Sequence, residues 1–83
     1  MITRLDELRG LLQQIGEEVA RAEALHAPIN SVHEGYSVIL EELDEFWEQV
    51  RMKRKDRDPE KMRAELIQTA AMCIRTIRDV IDV

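Results

Sequence analysis

The segment EELDEFWEQV, residues 41–50, opens with four carboxylates in five positions: Glu41, Glu42, Asp44 and Glu45. Further on, AELIQ places Glu65 and Gln68 three residues apart. At about 100° per residue, Glu42 and Glu45 stand one turn apart on one side of a helix, and Glu65 and Gln68 do so on another. If two such helices run antiparallel, the pairs face each other, and facing carboxylates repel unless a cation lies between them. Mg²⁺ is the natural cation, because it takes hard oxygen ligands, keeps several waters and often bridges phosphates. Glu42, Glu45, Glu65 and Gln68 are therefore candidate metal ligands, for Mg²⁺ or for Mn²⁺ in its place. A plainer reading stands beside this one. Glutamate is a good helix former, and acidic runs are commonly a solvated face. The plain reading is preferred for Glu41, Asp44 and Glu48; for Glu42 and Glu45, taken with Glu65, composition leaves the two even, and Glu-x-x-Glu by itself is a weak motif.

Three amphipathic helices must position these residues. The first is expected over residues 3–26, where Leu5, Leu8, Leu12, Ile15, Val19 and Ala22 alternate steps of three and four. Thr3 can cap its start with Asp6 in the first turn, and Pro28 prevents its continuation. Gly10 and Gly16 weaken it and leave room for a close neighbour. The second is expected over residues 31–54. Ser31 and Glu34 have capping-box spacing, and the stripe is Val32, Tyr36, Ile39, Leu40, Leu43, Phe46, Trp47 and Val50. The third is expected over residues 59–82, with Asp58 as cap, Pro59 at the first helical position, and Met62, Leu66, Ala70, Cys73, Ile74, Ile77 and Ile81 as its stripe. Ala71 and Met72 fall off that stripe, which implies burial on more than one side and hence a partner subunit.

Composition bounds the rest. Eighty-three residues set one domain as the ceiling, so residues 1–83 are read as a single helical unit. A core this small is marginal alone, and oligomerisation is a common remedy. A hydrophobic fraction of 45% and a charged fraction of 35%, with one Trp, one Tyr and one Phe, indicate a helical chain rather than a β-rich or disordered one. The net charge of −5 argues against a nucleic acid polymer as partner. No apolar run approaches the roughly 20 residues of a membrane span, so no membrane is expected. MITRLDELRG lacks the apolar core of a signal peptide, and the single Cys73 excludes an internal disulfide; a reducing, cytoplasmic setting is expected.

Residues 31–83 resemble the MazG-like, all-α nucleoside triphosphate pyrophosphohydrolases, a superfamily that also includes dimeric dUTPases and dCTP pyrophosphatases. The family signature is Glu-Glu-x-x-Glu on one helix and Glu-x-x-Asp on the next. Here Glu41, Glu42 and Glu45 supply the first part, Glu65 begins the second, and Gln68 stands at the Asp position. HEGYSVILEELDEFWEQV followed by AELIQTAAMCIRTIRDV is most similar to the short MazG-like proteins of bacteria and phages. The resemblance implies a three-helix antiparallel chain that completes a four-helix-bundle-type core as a homodimer or homotetramer. It implies Mg²⁺-dependent cleavage of a nucleoside triphosphate to the monophosphate and pyrophosphate. Glu42, Glu45, Glu65 and Gln68 would hold metal, and Glu41 would position or deprotonate the attacking water. Gln68 offers a neutral oxygen in place of a carboxylate. The alternative is a catalytically inactive module of the same fold that binds partners.

The remaining residues carry weaker signals. RMKRKDRDPEKMR holds seven of the twelve Lys and Arg residues. Arg51, Lys53, Arg54 and Lys55 could approach a substrate's phosphates, although a solvated linker that neutralises a helix end is preferred. Phe46, Trp47 and Tyr36 could stack on a base, but their helical phase favours core packing. His26 and His33 lack a partner at metal-ligand spacing and are assigned surface or capping roles. Cys73 is expected to be a buried structural thiol.

Overall fold

Thr3 and Asp6 close a reciprocal capping box at the start of α1 (Arg4–Leu25): the Asp6 amide donates to the Thr3 hydroxyl at 3.1 Å, and the Thr3 amide to the Asp6 carboxylate at 3.0 Å. Ser31 caps α2 (Val32–Val50) by accepting from the Glu34 amide at 3.0 Å. The Glu34 carboxylate reaches one residue further back than the expected box, taking the Asn30 amide at 3.2 Å. Asp58 caps α3 (Pro59–Thr76) by accepting from the amides of Glu60 and Lys61, with Pro59 at the first position. The computed structural model describes residues 1–83, and all regular structure in it is helical.

Two boundaries differ from the periodicity. The second helix ends at Val50 instead of about residue 54, and Arg54–Asp56 form a short 3-10 turn. Two side chains cause the early stop. The Arg57 guanidinium donates to the Val50 carbonyl at 2.6 Å, filling an acceptor that a further turn would have used. The buried Gln49 side chain accepts the Asp58 amide at 2.9 Å, which folds the connection back. At the other end of α3, the last turn (Ile77–Ile81) widens to π geometry, and its Asp79 carboxylate accepts the Ile29 amide at 2.9 Å.

The third helix is the centre of the chain. It lies along α2 on one side and along α1 on the other, and α1 and α2 do not pair with each other. Arg63 donates to Gln14 and Arg78 pairs with Glu23 at 3.2 Å, so α1 and α3 run in the same direction. Successive helices therefore alternate direction. The core is small: Val19 and Ala22 of α1, Ala71 and Met72 of α3, with Val38, Ile39 and Ile74 against them. Gly35 packs closely against Thr76 of α3. A Cβ there would stand 2.5 Å from Thr76 Cγ2, so only hydrogen fits. Gly10 and Gly16, expected to admit a neighbour, face open space.

Packing inverts the expected inner face of α3. Ala71 and Met72, which lie off the apolar stripe, are buried, together with Glu65 and Arg75, while Leu66, Ile77 and Ile81 are exposed. The upper α1 stripe (Leu5, Leu8, Leu12) and much of the α2 stripe (Val32, Tyr36, Leu40, Leu43, Trp47) are also exposed. Trp47 is 55% and Tyr36 66% exposed, so neither fills the core of the single chain, and Phe46 is half-buried. Cys73 is half-buried rather than buried. No helix is long and apolar enough to cross a membrane.

Candidate metal and ligand site

Glu42, Glu45 and Glu65 converge. Each offers a carboxylate oxygen, and the three oxygens lie within 4.8 Å of one another. The spacing follows from the helices: Glu42 and Glu45 are one turn apart on α2, and antiparallel α3 brings Glu65 against them. Glu45 is exposed, Glu42 half-buried and Glu65 buried. No cation pairs with any of the three. One oxygen of Glu42 and one of Glu65 are buried without a hydrogen-bond partner. Unpaired buried carboxylate oxygens are costly, because the charge loses water and gains nothing in return.

The electrostatics follow from that arrangement. Burial, then the charges of Glu45, Glu65 and Glu41, push the Glu42 carboxyl up to about 7. Burial and the neighbouring Glu45 also raise Glu65, against smaller opposing pulls from Lys61 and from the Glu42 carboxyl. A divalent ion among these oxygens would reverse both effects. Mg–O distances near 2.1 Å place ligand oxygens on an octahedron roughly 3 to 4 Å apart, so three oxygens within 4.8 Å need only a small inward movement. Hard oxygen donors and two orphaned buried atoms make the set chemically suited to such an ion.

A cavity of about 390 Å³ opens beside the cluster, in the cleft between α1 and α2 with α3 as its floor. Glu42, Glu41 and Gln68 line it, which places Gln68 one turn beyond Glu65 on the same side of α3. The cationic residues of the cavity are Arg21 and Arg75. Arg21 is held by Glu18 through a two-pronged ion pair, with one bond at 2.9 Å. Arg75 has no carboxylate partner. Arg51, Lys53, Arg54 and Lys55 are exposed beyond the far end of α2 and line no cavity, and Arg51 pairs with Glu48 at 3.5 Å. His26 is exposed at the cavity rim, and His33 is exposed near the start of α2.

Arg21 and Arg75 were not singled out by sequence reasoning. Arg75 sits at the helical offset of Met72 and Gln68 from Glu65, and that register was the available signal; the stronger apolar stripe on the other side of α3 obscured it. Comparison with known proteins returned no match. Neither a family model, nor a curated protein, nor a solved structure aligns with the chain.

Proposed function

We propose that the chain is a metal-dependent nucleoside triphosphate pyrophosphohydrolase of MazG type. The observation that carries this reading is the meeting of Glu42, Glu45 and Glu65 within 4.8 Å, with two buried oxygens lacking any partner. Glu42, Glu45 and Glu65, with the neutral oxygen of Gln68, would hold Mg²⁺, or Mn²⁺ in its place. The ion, when bound, supplies Lewis-acid polarisation of phosphoryl oxygens and a water of lowered pKa. Glu41 lines the adjoining cavity and is exposed, so its carboxylate can orient a water and accept its proton. Attack of that water breaks the α–β phosphoanhydride bond and yields the monophosphate and pyrophosphate.

The same proposal includes self-association and a cytoplasmic setting. Only nine of 83 residues are buried, and the apolar stripes of α1 and α2 lie largely outside. Monomers rarely expose apolar surface on this scale, and a second copy, in a dimer or tetramer, would complete a four-helix-type core.

A second reading is favoured by Gln68. A neutral amide at the fourth position removes one ligand charge, and a partner-binding module that kept the fold and lost the chemistry would look the same. The deciding experiment measures pyrophosphate release from a panel of ribo- and deoxynucleoside triphosphates with Mg²⁺, beside Glu45→Ala. Glu45 is exposed, so its loss leaves folding intact. Release by the native chain that vanishes in the variant supports the enzyme. No release from any nucleotide by a folded native chain selects the inactive module.

A further inference from the structure

Arg75 is 3% exposed. One guanidinium nitrogen donates to the Ala27 carbonyl at 3.0 Å, another makes a weak 3.7 Å contact with the Met72 sulfur, and Nε has no partner. A guanidinium carries five N–H donors and a permanent charge, and burying it without a carboxylate is unfavourable. Its position is nevertheless specific. It lines the cleft cavity together with Ala22, Val38 and Met72, whose side chains are apolar, and with Glu42 at the carboxylate end. On α3 it stands ten residues beyond Glu65, about 15 Å at the helical rise. Both side chains lean toward the N-terminus, so the offset stays of that order. It is too long for a phosphate held at the carboxylates and is of the order of the reach from the phosphates of a nucleotide to its base.

We propose that the cavity receives a nucleotide base and that Arg75 reads its acceptor edge, favouring a 6-oxopurine over adenine. The inference rests on the reading of Glu42, Glu45 and Glu65 as the phosphate end. A guanine presents O6 and N7 side by side, the pattern that a planar two-pronged donor matches, whereas adenine puts an amino donor where O6 would be. Ala22, Val38 and Met72 supply apolar walls for the ring faces, and a cavity of about 390 Å³ is of the size that ligand pockets take. The phosphate end of the nucleotide then lies toward Glu42.

The test is nuclear magnetic resonance on the full chain. The Arg75 Nε–H signal is assigned by its disappearance in Arg75→Lys, then followed during titration with guanosine, adenosine and their 5′-monophosphates. Guanosine carries no phosphate, so it probes the cavity independently of the carboxylates. The expected result is a shift of the Arg75 signal with guanosine and its monophosphate, about tenfold tighter than with the adenine compounds. Arg75→Lys keeps the charge and loses the fork, so the preference should vanish while the melting temperature stays close to native. An Arg75 signal unmoved by millimolar guanosine and its monophosphate overturns the proposal, even if pyrophosphate release depends on Glu45. Equal affinity for the two purines overturns it as well. A guanosine-specific shift upholds the cavity assignment even where no nucleotide is hydrolysed, and in that case it is the phosphate-end reading that falls.

Discussion

The carboxylates of Glu42 on α2 and Glu65 on α3 meet across the helix contact, each with a buried oxygen that no donor reaches. The Glu65 charge makes Glu42 harder to ionise, and burial together with exposed Glu45 raises both. The pair is a local source of instability that a cation would remove.

The first prediction follows from the sign of those shifts. A carboxyl raised in the folded state binds its proton more tightly there than in the unfolded chain. Its favourable contribution is complete below the unfolded value near 4.5 and is lost as pH rises through about 7. Glu65 acts in the same direction. Asp6 and Glu18, which are lowered, contribute above their ordinary range and lose that contribution at acid pH, outside this window. The unfolding free energy should therefore fall between pH 5 and pH 8 in metal-free buffer, by on the order of 1–3 kcal/mol once solvent screening is allowed for, and the melting temperature should fall with it. Glu42→Gln should flatten that slope. An equally steep slope in the variant would rule the cluster out as its source.

Added metal should act on the same groups. Millimolar Mg²⁺ or Mn²⁺ is expected to raise the melting temperature at pH 8, because a ligand that binds only the folded state stabilises it. Glu42→Ala should abolish the rise while leaving the response to NaCl unchanged. Identical melting curves with and without divalent ion would remove the metal site.

Gly35 and Thr76 give a packing prediction. A methyl at residue 35 would lie 2.5 Å from Thr76 Cγ2 and 2.8 Å from its hydroxyl oxygen. Gly35→Ala, which would favour an isolated helix by about 1 kcal/mol, should instead destabilise the protein by about 1–3 kcal/mol. Adding Thr76→Ala should recover part of that loss, since the nearest remaining contact is its Cβ at 3.2 Å. Strictly additive urea-denaturation energies for the two changes would show that they do not act on one contact.

The exposed α2 stripe is testable by sedimentation. Leu43 and Trp47 stand one turn apart and both face outward. The native chain is expected to sediment as a dimer or tetramer at micromolar concentration, and Leu43→Asp with Trp47→Glu should shift it toward monomer with helical content retained. A native chain that sediments as a monomer would contradict the proposed assembly.

The three helices and most of their ends were legible in the sequence, because caps and periodicity are local. Thr3, Ser31 and Asp58 each satisfy amides within three residues, and Pro28 and Pro59 act on their own turns. The convergence of Glu42 and Glu45 with Glu65 was legible for a related reason: residues three apart share a face, and the short connection after α2 makes α3 antiparallel to it. Tertiary structure decided which face turned inward. On α3 the apolar stripe through Leu66 and Ile77 is more regular, yet the buried side carries Glu65, Met72 and Arg75, with Ala71 beside it. A 3.6-residue period shows that a helix has a face to bury and is silent on how many neighbours compete for it. Here two neighbours, α1 and α2, flank α3 without pairing with each other, and the cleft they leave puts Arg75 in one cavity with Glu42. That juxtaposition depends on where whole helices sit, a non-local outcome that no spacing along the chain encodes.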